Sequence, residues 1–211
     1  HPVSNAILAD NLIARVATEL RQGTDRLYPD KVGFGENRVA EGNESELPRG
    51  FEAEAEAINS KVSGYIHAIS IENLLAFAKE EDLVLRLSQR PGDFVAEGAT
   101  LASLWPGKKS NDDMIARVRR AFYFGDERTP TQDLEYSIDQ LVEVAVRALS
   151  PGINDPFTAM SCIDWLGSAL IRVAGRGLPS GWRYDDEGRR RTMAEAHAFA
   201  GLAGRALHQH E

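Results

Sequence analysis

The chain has 211 residues, 43% hydrophobic and 27% charged, which fits one large or two small globular domains. Its 32 acidic residues outnumber 24 basic ones, and the resulting net charge of -8 excludes the basic face that a nucleic-acid binder needs. A single cysteine, Cys162, excludes an internal disulfide and Cys-rich metal motifs, and no apolar run has the length of a membrane span or the form of a signal peptide.

Leu8, Leu12, Val16 and Leu20 recur every fourth position and predict a helix over residues 1–28. Residues 29–50 hold Pro29, Gly33, Gly35, Gly42, Pro48 and Gly50 among glutamates and read as an acidic loop. Residues 51–107 change period and read as a β unit. Phe51 to Ile58 alternates polar and apolar, and Ser63 to Ile69 is a second strand. Ile71 to Glu80 is a short inserted helix. Leu83 to Leu87, Phe94-Val95 and Leu101 to Trp105 complete the strands, with a turn at Arg90-Pro91-Gly92-Asp93.

Residues 108–211 read as a helical domain. Asn111 or Asp112 caps a helix expected to run to Phe124. Thr131 to Leu149 carries a clear apolar stripe of Leu134, Ile138, Leu141, Ala145 and Leu149. Pro156 to Ala174 is apolar on nearly every side and is expected to be the central buried helix, with Cys162 an inert buried thiol. Arg189-Arg190-Arg191 reads as a solvated loop running into a last helix, Arg191 to His208. Between the two long helices, Ser150-Pro151-Gly152-Ile153-Asn154-Asp155-Pro156 makes a corner. Pro151 ends one helix, and Asp155 caps the next with Pro156 at its first position.

Chemistry-bearing residues are few. Arg128, Thr129, Gln132, Asp133 and Glu135 gather at the start of a helix, where an arginine and free N–H groups suit an anion. Capping by Thr131, with Asp133 and Glu135 offsetting the helix dipole, accounts for the same pattern and is preferred. Asn154 and Asp155 read first as turn and cap residues. A whole helix separates them from Gln132, which argues against one compact site. Asp164, on the most apolar helix, is expected to pair with Arg147 or Arg172. The catalytic candidates are therefore Arg128, Asp133 and Asp164. The ligand-binding candidates are Thr129, Gln132, Glu135, Asn154 and Asp155. The five histidines make no metal motif, and no cofactor fingerprint is present, so neither a metal nor a cofactor is expected.

Several blocks carry a family resemblance: Ser63-Gly64-Tyr65-Ile66, Arg90-Pro91-Gly92-Asp93-Phe94-Val95 with Gly98, Arg128-Thr129 with Gln132-Asp133, and above all Ala148 to Ala159. In this order the chain resembles the bacterial predicted-membrane-protein family called domain of unknown function 2254. The resemblance implies N-terminal spans ahead of this region, with the first helix continuing from them. An even number of spans with the N-terminus inside would place the region in the cytoplasm, at the inner membrane. The β unit by itself resembles a biotinyl/lipoyl-like barrel-sandwich hammerhead. It lacks a Met-Lys-Met hairpin, and Lys61 and Lys79 stand elsewhere, which favours a scaffold over a carrier.

The expected fold is α+β, a small barrel-sandwich-like β unit with an inserted helix beside a helical bundle. The expected role is non-enzymatic, in assembly, interaction or regulation, with the membrane and a second copy of the chain as partners and no nucleic acid. The alternative is a hydrolase or ligand-sensing domain using the carboxylate/arginine residues.

Overall fold

The computed structural model describes residues 2–27, 47–176 and 181–194. In chain order its elements are α1 (Pro2–Leu27), α2 (Phe51–Glu54), β1 (Glu56–Asn59), β2 (Gly64–Ile69), α3 (Ile71–Glu80), β3 (Val84–Leu87), β4 (Phe94–Val95) and β5 (Thr100–Trp105). A 3-10 turn at Gly107–Lys109 leads to α4 (Asp112–Arg119), β6 (Phe122–Gly125), α5 (Leu134–Ala148), α6 (Pro156–Ala174), β7 (Trp182–Tyr184) and β8 (Arg190–Met193). The class is α+β. The described residues fall into two compact units, a strand unit of 47–129 with 181–194 and a helical unit of 2–27 with 130–176.

The strand unit contains two open sheets. One has the order β1-β5-β3-β8-β7, the other β4-β2-β6. All pairs are antiparallel except β3 with β8, which run parallel with Leu85 beside Thr192 and Arg86 beside Met193. Neither sheet closes into a barrel, so the barrel-sandwich likeness is not confirmed. The core gathers Ile58, Ile66, Leu74, Phe77, Leu83, Leu85, Leu101 and Leu104. Each such side chain contributes about 1.5–3 kcal/mol by leaving water. Gly92 and Gly98 take φ of 93° and 86°, the left-handed region that glycine enters without cost, and so turn the chain into β4 and β5.

The sheet is discontinuous in sequence. The chain leaves the strand unit after Thr129 and returns to supply β7 and β8. Buried charge holds this return in place. Arg191 Nε donates to Asp185 at 2.8 Å and its Nη1 donates to Asp82 at 2.7 Å. The expected solvated arginine loop and helical start at Arg191 are thus overturned: Arg191 lies inside a strand, with its charge neutralised by two aspartates. The rest of that expected helix, and residues 28–46 of the expected acidic loop, lie outside the described residues.

Three other expectations change locally. Phe51–Glu54 is a helical turn rather than the start of a strand, because Phe51 docks into a small cluster with Val84 and Trp182. Asn111 caps α4 by accepting the Met114 N–H at 2.9 Å, but the helix stops at Arg119. Phe122–Gly125 then pairs with β2 instead of finishing the helix. Helix α5 begins at Leu134, and Asp133 rather than Thr131 caps it.

In the helical unit α1, α5 and α6 pack on one another. Ile13, Val16 and Leu20 of α1 meet Leu134, Ile138, Leu141 and Val142 of α5, and Cys162, Leu166 and Val173 of α6. Gly23 allows this approach, since a Cβ there would stand 2.7 Å from the Leu134 side chain. Outside the core, Arg172 Nε and Nη2 grip Asp25 at 2.9 and 2.6 Å, and Arg176 also reaches that carboxylate.

Candidate functional site

The corner between α5 and α6 is built as a double stop. Leu149 closes α5, and the Asp155 N–H returns to the Ala148 carbonyl at 2.8 Å. Ile153 and Asn154 N–H groups both bond the Ser150 carbonyl, at 3.0 and 2.9 Å. Asn154 takes φ of 46°, a left-handed conformation that its short polar side chain tolerates better than most. Asp155 then caps α6, accepting the Thr158 N–H at 3.1 Å and its hydroxyl at 2.7 Å. The Thr158 hydroxyl is the leading cause that holds the Asp155 carboxyl below the usual carboxylate range. Asn154 and Asp155 therefore make the turn and the cap.

The apolar residues around this corner face outward. Phe157 is 80% exposed, and Leu149, Ile153, Met160 and Ile163 are each more than half exposed. Val146 near the end of α5 and Trp165 and Ile171 of α6 are exposed as well. The expectation of a helix buried on all sides is corrected: Ala159, Cys162, Leu166 and Val173 form one core face, and the opposite face is open. Burial pushes the Cys162 thiol up to about 11, so it is neutral and unreactive at neutral pH.

Asp133 and Glu135 are both buried at the start of α5, where Asp133 Oδ1 accepts the Tyr136 N–H at 2.9 Å. Gln132 is half-buried in the same unit, whereas Arg128 and Thr129 are half-buried residues of the strand unit. Asp164 is exposed on the open face of α6. Its expected partners are taken, since Arg147 pairs with Glu143 at 2.5 Å and Arg172 with Asp25. Asp164 is thus exposed, whereas Asp133 and Glu135 are buried at the end of α5 away from the corner.

Elsewhere, a recess of about 230 Å³ in the strand unit is lined by Asn73, Leu74, Phe77, Arg117 and Arg120. It contains none of the candidate residues. Arg117 is engaged there, paired with Glu80 at 2.7 Å and stacked 4.8 Å from the Phe77 ring centre. His67 is the bulged residue of β2, packed on Gly125, with Nε2 2.6 Å from the Glu127 carbonyl oxygen. Lys79 bonds Asp186. Among the described residues no group of three or more His, Cys, Asp or Glu side chains is placed to hold a metal ion.

The family whose members are described as predicted membrane proteins, DUF2254, matches residues 1–211. The chain belongs to this family. It is also 30% identical over 193 residues to uncharacterised proteins of Mycobacterium tuberculosis (MT1328 of strain CDC 1551 and Rv1290c of strain H37Rv) and of Mycobacterium bovis (Mb1321c). Each match covers 89% of this chain but 36% of the relative, so the DUF2254 chain spans about a third of the curated proteins it resembles. No solved structure matches it. The expectation that no run has the length of a span is corrected: one helix among the described residues, α6, has the length and apolar composition to cross a bilayer. Its packing partners α1 and α5 carry Arg15, Glu19, Glu135, Asp139, Glu143 and Arg147, a density of charge that would not enter hydrocarbon beside it.

Proposed function

We propose that this chain is the cytoplasm-facing, water-exposed region of a bacterial inner-membrane protein, and that it serves assembly, interaction or regulation rather than catalysis. The observation that carries this reading is the open apolar surface at the α5–α6 corner. Leu149, Ile153 and Phe157 of that surface fall within Ala148 to Ala159, the segment that most strongly resembles the family, yet these large side chains support no core. Apolar surface left open in this way marks a place where another molecule binds. The polar residues of the same corner are engaged in turn and cap bonds.

The orientation rests on the family resemblance and is tested by labelling. In the full-length protein, a cysteine placed at exposed Glu97 or Asp126 should react with a membrane-permeant maleimide in intact cells and resist an impermeant one. Labelling by the impermeant reagent would place the region outside. The role is tested by Phe157→Asp, which should reduce recovery of the full-length protein's assembled form while the isolated chain keeps its fold. Unchanged assembly would remove the support for an interaction role.

A second reading, a carboxylate/arginine site for hydrolysis or ligand sensing, draws on the burial of Asp133 and Glu135. It predicts that Asp133→Asn, which keeps a cap, abolishes a small-molecule response of the full-length protein. The assembly reading predicts no change.

A further inference from the structure

We propose that the corner patch of Val146, Leu149, Ile153, Phe157, Met160 and Ile163 is an isologous interface that pairs two copies of this chain. The inference rests on the interaction reading above and names its partner.

Area is the first argument. The six side chains are between 44% and 80% exposed and lie together on the last turn of α5, the turn itself and the first two turns of α6. Together they leave on the order of 600 Å² of apolar surface open, the top of the range for one patch on a monomer and close to the ~800 Å² that each partner gives to a standard interface. Composition is the second. A phenylalanine and a methionine stand among four aliphatic side chains, and none of the six is charged, a composition suited to a protein–protein contact.

Charge narrows the choice of occupant. Glu143 and Arg147 beside the patch satisfy each other, which leaves Asp164 as the one charge near it and gives a strongly basic or acidic partner little to complement. A bilayer is a poor occupant as well. The patch includes a turn whose backbone is only partly bonded within itself, and hydrocarbon tolerates no such backbone. Asp164 on the same face would add the cost of carrying a carboxylate into hydrocarbon. A second copy brings the same apolar surface, and two-fold pairing lets Phe157 and Met160 of each copy meet the partner's corner while both Asp164 carboxylates stay in water.

The test is sedimentation of the purified 211-residue chain over a wide concentration range, without detergent. The expected species is a dimer of twice the 23.2 kDa chain mass. Phe157→Asp should weaken it by roughly thirtyfold or more, as loss of a central anchor does. Ile171→Asp, on the same helix but beyond Asp164, should leave it intact. Circular dichroism checks that both variants fold. As an independent readout, Phe157→Cys should form a disulfide-linked dimer on copper–phenanthroline oxidation, since buried Cys162 does not compete. A chain monomeric throughout, or a dimer indifferent to Phe157→Asp, overturns the inference. A monomer that instead floats with phosphatidylethanolamine/phosphatidylglycerol vesicles, and loses that binding in Phe157→Asp, also overturns it while leaving the interaction reading standing. A monomer that binds no vesicles, together with full-length assembly unaffected by Phe157→Asp, ends both.

Discussion

Asp155 holds Thr158 twice, through the backbone N–H at 3.1 Å and through the hydroxyl at 2.7 Å. One aspartate thus starts α6 and fixes the direction in which Phe157 and Met160 leave the corner. Asp155→Ala should lower the thermal midpoint of the isolated chain by roughly 2–6 °C, the usual effect of losing a cap in a chain of this size. Asp155→Asn should recover most of that loss. A scan of all three proteins checks it, and an unchanged midpoint in Asp155→Ala would mean the cap is not formed.

Asn154 adopts φ of 46° immediately before that cap. Glycine enters this region freely, whereas a β-branched side chain collides with its own backbone. Asn154→Gly should stay within about 0.5 kcal/mol of the parent, while Asn154→Val should cost about 1–2 kcal/mol. Urea denaturation of the two variants separates these outcomes.

Acid should destabilise the fold in a defined window. The Arg172 guanidinium holds Asp25 below the usual carboxylate range, and Arg191 does the same for Asp82 and Asp185. A carboxyl whose folded pKa lies below its unfolded value adds stability above the unfolded value and loses it as pH falls through the folded one. Stability should therefore hold from neutrality down to the ordinary aspartate pKa of about 3.9 and fall below it. Arg191→Met should flatten that fall, because Asp82 and Asp185 lose the partner that lowers them. Urea midpoints measured through acid pH report the slope, and a parallel curve for Arg191→Met would contradict the assignment.

The two faces of the α5–α6 pair should respond oppositely to truncation. Leu141 is fully buried between the three helices, so Leu141→Ala should cost about 2–5 kcal/mol. Phe157→Ala, at a position 80% exposed, should change the stability of the monomer by no more than about 0.5 kcal/mol. A large loss in Phe157→Ala, measured at a dilution where the chain is monomeric, would mean that Phe157 belongs to the core.

Much of this was legible in the residues. The four-residue spacing marked α1, the stripe from Leu134 marked α5, and Asp155-Pro156 marked the first turn of α6. The inserted helix α3 occupies Ile71–Glu80, as its pattern indicates. What stayed hidden depended on contacts distant in sequence. Arg190–Met193 looks like a solvated basic run until Asp82 and Asp185 are brought against Arg191. Phe122–Gly125 continues a helical pattern until β2 offers it a ladder. Helix α6 is apolar on nearly every side, so its periodicity did not show how much of it is left uncovered. The same uniformity concealed the patch at the corner, since exposed and buried apolar residues look alike in a sequence. The Asp133 cap and the Asn154–Asp155 turn follow from local chemistry, while the exposure of Asp164, with Arg147 and Arg172 engaged elsewhere, emerged only in three dimensions.

The most direct measurement is oxidative footprinting of the full-length protein in its native membrane. Met160 and Phe157 should oxidise as slowly as fully buried Phe77, although they are 59% and 80% exposed in the single chain, while Tyr123 on the strand unit should react as an exposed residue. If Met160 and Phe157 oxidise as readily as Tyr123, nothing covers the corner and it is not a docking surface.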